Sequence, residues 1–479
     1  MPATPFESDN DVPSAVPSGP TTVAPRAEID SNEAQQLMYA LLDNNVDTAE
    51  IALERVLSVS DERFIAVLLE LMRANQIGVA RGAGYAAHIA ALEELSGQTY
   101  GGDWSAWIEW YGLSDLAPPE GFTTWKGQLL ARVDPEFAAF LQDEHPSRIR
   151  VEEIQWGGVS VDGIPALDQA TMIPGDEAEY LSPWEPVFGI SISGDSRAYP
   201  LRILDWHEMA NDVVGGVPLS LAYCTLCGAG IVFDGRASGG NTYDFGSSGF
   251  LYRSNKLMYD RQTRTLWNQL TGEPVLGELV ATDVKLDLLP IVLTSWSEWQ
   301  AQHPDSLVLD LDTGFDRPYE VGAAYGGYFA TADTMFPVWQ RSDELATKDR
   351  VYALQVDGIP KAYPLDVLTD AGVVNDRIGE TDLVLVATRG QIVVDGQSVR
   401  DGSVRYDAGG EVRAYARGEV TFEPGPDENT VLDENGSAWA VTEEALLGPD
   451  GERAERINGH LAYWFGWYAF FPQTLIYSP

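Results

Sequence analysis

The sequence predicts an α+β protein, in which a small N-terminal all-α domain precedes a tandem duplication of a strand-rich α+β unit. Three observations predict this class. Apolar residues recur at helical spacing early in the chain, a later stretch matches another without a gap, and both matching stretches contain alternating apolar runs that end at glycine turns. We expect the two copies to pack face to face about a pseudo-two-fold axis.

The composition limits the class of protein and its partners. The chain has 479 residues, with 73 acidic against 30 basic ones and a formal net charge of −43. At roughly 150 residues per domain, this length suggests about three units. A field of this sign repels phosphate backbones and anionic lipid surfaces, so we expect no nucleic-acid partner. The apolar fraction of 44% is enough to build packed cores in spite of the charge.

Residues 1–30 are rich in Pro, Ser and Thr, which predicts a disordered leader. They have neither the basic nor the apolar region of a signal peptide, which predicts a cytoplasmic location; tethering outside the cytoplasm remains the alternative. No apolar run approaches the roughly 20 residues of a membrane span, so we expect none.

The next segment, residues 31–145, is predicted to form the helical domain. Between Phe64 and Met72 the apolar residues follow the i, i+3, i+4, i+7 pattern of one helix face. Trp104 to Tyr111 is a cluster of aromatic residues, and a second helical pattern runs from Trp125 to Leu141. We interpret the aromatic cluster as core.

The duplication is inferred from an ungapped match of Val187–Tyr223 with Val351–Ala387, at an offset of 164 residues. Of these 37 positions, 12 are identical, and they include the Ala-Tyr-Pro-Leu motifs that begin at Ala198 and at Ala362. With small gaps, we align residues 230–235 with 391–396, and a Trp-x-x-Trp motif follows in each copy. The predicted boundaries are 150–310 for the first unit, 311–348 for a crossover segment and 349–479 for a second, degenerate copy.

The concentrated reactive chemistry lies in the first copy. The two cysteines of the chain stand together as Cys224-Thr-Leu-Cys227 between two apolar runs, which predicts the tight turn of a hairpin. Two cysteines cannot build a disulfide framework, so we interpret them as one pair, with His207 upstream. The second copy has no reactive set at these positions. The residues aligned with His207, Cys224 and Cys227 are Ala371, Thr388 and Gln391.

The sequence leaves three interpretations of this pair open. The two thiols cycle to a disulfide without a metal, or they bind a metal, or they are inert buried thiols that brace a hairpin. A closed structural zinc site needs four ligands, whereas Cys224, Cys227 and His207 make a Cys2His set that suits catalytic zinc with a vacant position, or copper. Further ligands considered are Glu208, Met258 and His303.

A basic, hydrogen-bond-rich segment follows the cysteines. We predict that its cations hold a small anionic substrate beside the thiols, with backbone donors from a Gly-Ser-Ser-Gly turn that begins at Gly246. The alternative is a salt-bridged surface hairpin. The predicted substrate-binding residues are Ser248, Arg253, Asn255, Lys256, Tyr259, Asp260 and Arg261.

Several separated motifs occur in an order that resembles the bacterial and archaeal domain-of-unknown-function family 3179. They are Ala198-Tyr-Pro-Leu, Trp206-His-Glu, Tyr223-Cys-x-Leu-Cys-Gly, Phe245-Gly-x-Ser-Gly-x-Leu-Tyr-x-Ser-Asn and Met258-Tyr-Asp-Arg-x-Thr. The resemblance extends from about residue 150 to the end of the chain, and it implies that the helical part is an extension present in longer members. No activity is agreed for the family. Some members are described as possible selenoproteins, which favours a redox or soft-metal role over structural zinc.

The sequence therefore predicts a redox-active thiol protein or a copper or zinc protein, an oxidoreductase acting through Cys224, Cys227 and His207 on a small anionic substrate or a redox partner. The alternatives are a metal- or ligand-binding module without turnover and a structural protein with a bracing Cys pair. No dinucleotide-binding or phosphate-loop motif occurs, so we expect no nucleotide, flavin or nicotinamide cofactor.

Overall fold

The structure is a computed structural model that describes residues 28–388 and 390–479. Most of the predicted leader, residues 1–27, lies outside the described residues. A helical N-terminal region is followed by a strand-rich region with several sheets, so the α+β class is confirmed.

The N-terminal helices begin and end at the residues that favour such positions. The side chain of Asp30 accepts a hydrogen bond from the Glu33 backbone N–H and thereby caps the first helix, and Asn45 caps the second in the same way. Gly97 ends the fourth helix in the left-handed conformation, with a φ of 70°. The helices are α1 (Ser31–Leu41), α2 (Val46–Val59), α3 (Phe64–Gln76), α4 (Tyr85–Ser96), α5 (Trp104–Gly112), α6 (Phe122–Leu130) and α7 (Phe137–Phe140).

The first strand-rich part, residues 154–309, forms three sheets. Their strand orders are β14-β4-β5-β15-β3, β13-β8-β7-β6-β2 and β1-β9-β10-β11-β12. The elements are β1 (Ile154–Trp156), β2 (Leu167–Asp168), β3 (Met172–Pro174), β4 (Pro186–Ile192), β5 (Asp195–Pro200), α8 (Leu201–His207), β6 (Met209–Val214), β7 (Val217–Cys224), β8 (Ala229–Asp234), β9 (Phe245–Tyr252), β10 (Asn255–Asp260), β11 (Leu266–Asn268), β12 (Glu273–Leu276), β13 (Leu288–Leu289), β14 (Val292–Ser295), α9 (Trp296–Gln302) and β15 (Leu307–Leu309).

A crossover segment, residues 310–349, leads to the second strand-rich part, residues 350–476. The crossover is irregular apart from one short helix. The elements are α10 (Gly326–Phe329), β16 (Arg350–Val356), β17 (Ile359–Pro364), α11 (Leu365–Ala371), β18 (Val373–Ile378), β19 (Thr381–Ala387), β20 (Ile392–Ser398), β21 (Gly402–Gly409), β22 (Val412–Ala416), β23 (Phe422–Pro424), β24 (Thr430–Asp433), β25 (Ala438–Val441), β26 (Ala445–Leu447), β27 (Arg453–Ile457), β28 (Gly459–Tyr463), α12 (Trp464–Tyr468) and β29 (Leu475–Ile476).

The helical region packs against the hairpin formed by β9 and β10. Phe137 and Phe140 on α7 lie 4.6 and 6.1 Å, ring centroid to ring centroid, from Phe250 on β9. Their side chains are buried in one cluster with residues of β10, β11 and β12. The N-terminal region therefore supports the outer face of the β9–β10 hairpin.

The alignment of residues 230–235 with 391–396 is wrong. Strand β8, residues 229–234, pairs with β7, whereas the strand that pairs with β19 is β22, residues 412–416. Residues 392–409 instead form a separate hairpin of β20 and β21. Gln391 therefore precedes this hairpin and does not lie at a short turn between β19 and the strand that pairs with it.

The two strand-rich parts contact each other through reciprocal strands. Strand β8 of the first part contacts β28 of the second, and β14 of the first contacts β22 of the second. Across the second contact, the Thr294 hydroxyl donates a hydrogen bond to the buried Glu411 carboxylate. Among the helices of the described ranges, none combines the length and the apolar character that crossing a membrane requires.

Candidate functional site

The cysteine pair lies at a four-residue turn between β7 and β8. Cys224 is the last residue of β7 and pairs with Ala229, and residues 225–228 close the turn. Gly228 has a φ of 61°, and a Cβ there would lie 3.1 Å from both the Tyr463 ring and the Arg350 guanidinium, so this position favours glycine. Both thiols are free and buried, at 2% and 0% relative exposure.

The two sulfurs are held in different protonation environments. Burial opposes ionisation of Cys224, but the neighbouring Cys227 side chain and the backbone N–H groups of Lys256 and Cys227 bring the pKa of Cys224 below its ordinary value. Burial, together with the neighbouring Cys224 sulfur, raises the pKa of Cys227 well above its ordinary value. The arrangement therefore favours a Cys224 thiolate beside a Cys227 thiol.

The turn between β9 and β10 contacts Cys227 from the other side. Arg253 and Ser254 have positive φ values of 51° and 63°, as a type I′ hairpin turn requires. The Cys227 thiol donates a hydrogen bond to the Ser254 carbonyl oxygen at 3.4 Å, and its sulfur accepts one from the Asn255 amide at 3.4 Å. Two buried polar atoms here, Ser254 Oγ and Asn255 Oδ1, have no hydrogen-bond partner within the described residues.

A buried amide links this hairpin to the strands that hold the cysteines. Gln269 Oε1 accepts a hydrogen bond from Asn255 at 2.9 Å, and its Nε2 donates to the carbonyl groups of Ala222 and Ala229 at 2.8 and 3.1 Å. Because Ala222 is on β7 and Ala229 is on β8, Gln269 fixes both strands relative to Asn255.

Glu208 is the carboxylate next to the turn. Its Oε1 accepts hydrogen bonds from the hydroxyls of Thr225, at 3.0 Å, and Tyr325, at 3.3 Å. Its Oε2 lies 3.1 Å from Lys256 Nζ, and both side chains of this ion pair are buried. Lys256 thus contacts Glu208 through its side chain, and it directly follows Asn255, whose amide donates to Cys227 Sγ.

His207 is buried with both ring nitrogens in other hydrogen bonds. Nδ1–H donates to the Pro165 carbonyl at 2.8 Å, which leaves Nε2 to accept from the Tyr319 hydroxyl at 2.5 Å. Burial lowers the pKa of His207, and the bond to Pro165 partly offsets this effect. To bind a metal with the sulfurs, His207 would have to release Tyr319.

The structure contains no ready-made cluster of metal ligands in residues 28–388 and 390–479: no group of three or more His, Cys, Asp and Glu side chains is placed to hold an ion. Of the predicted Cys2His set, the two sulfurs are neighbours, whereas His207 is hydrogen-bonded to Pro165 and Tyr319. Of the further ligands considered, Met258 is a buried residue of β10, and His303 lies against Trp299 in a different cluster.

The crossover segment and the second strand-rich part cover the cysteine turn. The Tyr328 hydroxyl donates to the Leu226 carbonyl at 2.7 Å, and the Tyr463 backbone N–H donates to the Cys227 carbonyl at 2.7 Å. Beyond this cover lies a cleft of about 920 Å³, which Tyr463, Arg350 and Lys348 help to line. Tyr463 therefore both contacts the cysteine turn and lines the cleft.

The predicted substrate-binding residues bond mainly to partners within the fold. The Gly-Ser-Ser-Gly stretch is not a turn but part of the buried strand β9, which is a correction to the sequence prediction. Asn255 and Lys256 do lie at the cysteines. The others pair as Ser248 with the Leu257 carbonyl, Arg253 with Glu153, Tyr259 with Asp162, Asp260 with Trp267, and Arg261 with Asp162 and Asp168.

Several residues of the site were not predicted from the sequence. Thr225 lies within the cysteine motif and Gln269 directly follows β11; both are buried polar residues, and their burial was the missing information. Tyr325, Tyr328 and Tyr463 come from segments distant along the chain, for which no local pattern gives a signal.

Comparison with known proteins gives one match. A family model described as a protein of unknown function, DUF3179, matches residues 161–474. No curated protein and no solved structure matches the chain.

Proposed function

This chain belongs to the DUF3179 family, and from that premise we propose that Cys224 and Cys227 form a reversible dithiol–disulfide couple. The observation that carries this proposal is that two free, buried sulfurs lie at one four-residue turn, where the pKa of Cys224 is lowered and that of Cys227 is raised. A stabilised thiolate next to a protonated thiol is the arrangement that thiol–disulfide exchange requires.

The reaction is written with a disulfide as the oxidant. The Cys224 thiolate attacks one sulfur of the substrate disulfide, breaks its S–S bond and releases one substrate thiolate, which takes up a proton. The Cys227 thiol loses its proton, attacks Cys224 Sγ and releases the second substrate sulfur. Two electrons pass from the dithiol to the substrate, which leaves as two thiols, and the protein retains a Cys224–Cys227 disulfide.

Metal binding is the second candidate function. The observation that favours it is the buried Asn255 Oδ1, which has no partner in the described parts of the chain and belongs to a side chain that contacts Cys227 Sγ. Cys224 and Cys227 would supply the sulfur ligands of a zinc or copper ion, and such an ion would act as a Lewis acid or an electron carrier.

The experiment is oxidation of the reduced, full-length protein by a neutral small disulfide, bis(2-hydroxyethyl) disulfide, with and without a chelator. We expect the loss of both free thiols and a mass decrease of two hydrogen atoms, unchanged by the chelator. Cys227→Ser should accumulate the mixed disulfide at Cys224, and Cys224→Ser should form neither product. Thr388→Ser, at the aligned position of the second part, is the matched control and should behave like the wild type.

The outcome that rejects the couple is a native protein that keeps both thiols while the same protein, unfolded in denaturant, is oxidised. Metal that co-purifies at about one equivalent, is lost in Cys224→Ser and blocks oxidation until it is chelated would favour the second candidate instead.

We also propose that the two strand-rich parts are copies that arose by tandem duplication and pack about a pseudo-two-fold axis. Two sheets support this idea, because β14-β4-β5-β15 has the same order as β28-β16-β17-β29, and β13-β8-β7-β6 the same as β27-β22-β19-β18. The reciprocal contacts of β8 with β28 and of β14 with β22 support the two-fold packing.

Matching hydrogen bonds support the duplication at the level of side chains. The Tyr199 hydroxyl donates to Asp212 at 2.7 Å, as the Tyr363 hydroxyl does to Asp376. The side chain of Asn211 exchanges two hydrogen bonds with the backbone of Phe245, and the side chain of Asn375 does the same with Phe422.

A further inference from the structure

The backbone at Glu208 is one that favours glycine. Glu208 follows α8 in the left-handed conformation, with φ of 56° and ψ of −16°. The aligned residue after α11 is Gly372, with a φ of 74°, and its backbone makes the same two hydrogen bonds at nearly the same lengths. A side chain in this conformation is disfavoured, because its Cβ comes too close to the following carbonyl oxygen. The backbone alone therefore does not explain a glutamate at this position.

Burial adds a second cost. Glu208 is 6% exposed and Lys256 is 3% exposed, so both ends of the ion pair have lost their water. A buried carboxylate is tolerated when its oxygens have partners, and here the hydroxyls of Thr225 and Tyr325 complete the set. The left-handed backbone and the buried charge each lower stability at this one residue beside the cysteines. Such a combination is typical of a functional position.

We propose that Glu208 positions the Cys224–Cys227 turn and sets the balance of charge beside it, and this inference rests on the proposed dithiol function. Its carboxylate holds Thr225, the residue after Cys224, from one side and Lys256 from the other. Because Lys256 follows Asn255, whose amide donates to Cys227 Sγ, Glu208 fixes the turn and this donor together. Glu208 contacts no reacting atom in this role and acts through its two partners and through its charge.

The charge of Glu208 also acts on the thiols. The negative carboxylate beside the turn opposes ionisation of the nearby sulfurs, and the ion pair with Lys256 limits that effect. Other ionisable groups surround the same turn. They are Asp205 and Tyr223 from the first part, Tyr325 and Tyr328 from the crossover, and Arg350 and Tyr463 from the second part.

The experiment measures the pH dependence of alkylation of Cys224 by iodoacetamide in a Cys227→Ser background, where one thiol remains. Glu208→Gln keeps the size of the side chain and a hydrogen-bond acceptor but removes the charge. We expect the half-maximal pH to move down and the rate near neutral pH to rise about fivefold. Lys256→Met leaves Glu208 without its cation, and we expect the half-maximal pH to move up.

Ser193→Gly is the matched control, since Ser193 is another left-handed residue, with a φ of 52°, in the β4–β5 turn. It should leave the pH profile unchanged. Opposite shifts in Glu208→Gln and Lys256→Met support the inference. A purely structural role would raise the rate equally at every pH because the site loosens, and that outcome overturns it.

The two proposals fail in different ways. If the wild-type protein forms the disulfide and neither variant moves the pH profile, the positioning role is wrong and the dithiol couple stands. If the profiles shift in opposite directions but the wild-type protein never forms the disulfide, the couple is wrong and Glu208 tunes a single thiol. If Cys224 is unreactive at every pH in the native protein, both are overturned.

Discussion

The two strand-rich parts share an order of strands but differ at the turn that follows β7 and β19. In the first part, four residues close this turn and carry the cysteines. In the second, the chain leaves the sheet after Thr388 and returns at β22, with the β20–β21 hairpin between. The same framework therefore holds a closed, buried site at one turn and a long excursion at the other.

The segments that cover the turns after β7 and after β19 also differ. The cysteine turn is covered by Tyr328 of the crossover and by Tyr463. The corresponding region of the second part is open, and a pocket of about 370 Å³ lies there, lined in part by Thr388, Thr294 and Glu298. The comparison teaches that the strand framework alone does not make the site, because the chemistry depends on the short turn and on segments that cross from elsewhere.

The largest effect that tests this comparison is the loss of the aligned tryptophans. Trp299 and Trp467 are fully buried, and their indole N–H groups donate to Ser306 and Thr474, which are also aligned. We expect Trp299→Ala and Trp467→Ala each to lower the free energy of unfolding by about 3–5 kcal/mol, measured by denaturant titration. Trp184, which is 40% exposed, provides the control. A large loss in one variant alone would break the structural equivalence.

A smaller effect is expected when a glutamate is placed at Gly372, the position of the second part that is aligned with Glu208. Gly372→Glu places a glutamate in the left-handed position after α11, and we expect a loss of about 1–2 kcal/mol in the free energy of unfolding. Gly372→Ala separates the cost of the Cβ from that of the charge. Stability equal to the wild type in thermal and denaturant unfolding would show that the backbone at this position does not favour glycine, and the reasoning about Glu208 would lose its reference.

The smallest effect concerns Asp376, which is aligned with Asp212, and the pH dependence of the stability that Asp376 contributes. Burial alone would raise the pKa of Asp376, but hydrogen bonds from Lys361 and Tyr363 bring it below its ordinary value. A lowered pKa in the folded state stabilises the protein above the ordinary pKa, and this contribution is lost as the pH falls through the folded value. We expect Asp376→Asn to cost about 1 kcal/mol at neutral pH and less in acid. A cost that grows on acidification would contradict this assignment.

Sequence reasoning predicted what depends on local pattern. The helical region, the strand-rich region and the ungapped match that begins at Val187 follow from periodicity and from residue identity, which local structure preserves. The cysteine turn was predicted because apolar runs flank it on both sides. The pairing of Asn255 and Lys256 with the cysteines follows from the β9–β10 hairpin, which brings the turn at residues 253–254 back to Cys227.

The rest could not be predicted, because it depends on contacts between distant segments. The gapped alignment after residue 230 was wrong because the sequence of β20, the first strand of the β20–β21 hairpin, resembles that of β8. His207 was grouped with the sulfurs by sequence proximity, but its ring nitrogens bond to Pro165 and Tyr319. The direction of a side chain at a helix end is set by tertiary packing, which the local sequence does not reveal.

The cover over the thiols determines how the pair meets a reagent. The hydrogen bonds of Tyr328 and Tyr463 to the cysteine turn must open before a sulfur is exposed, so opening and chemistry are successive steps. At low reagent concentration the observed rate is the product of the opening equilibrium and the intrinsic reactivity. At high concentration it reaches a plateau at the opening rate, which is common to all reagents. The upper limit of the rate of thiol oxidation is therefore a property of the fold rather than of the oxidant.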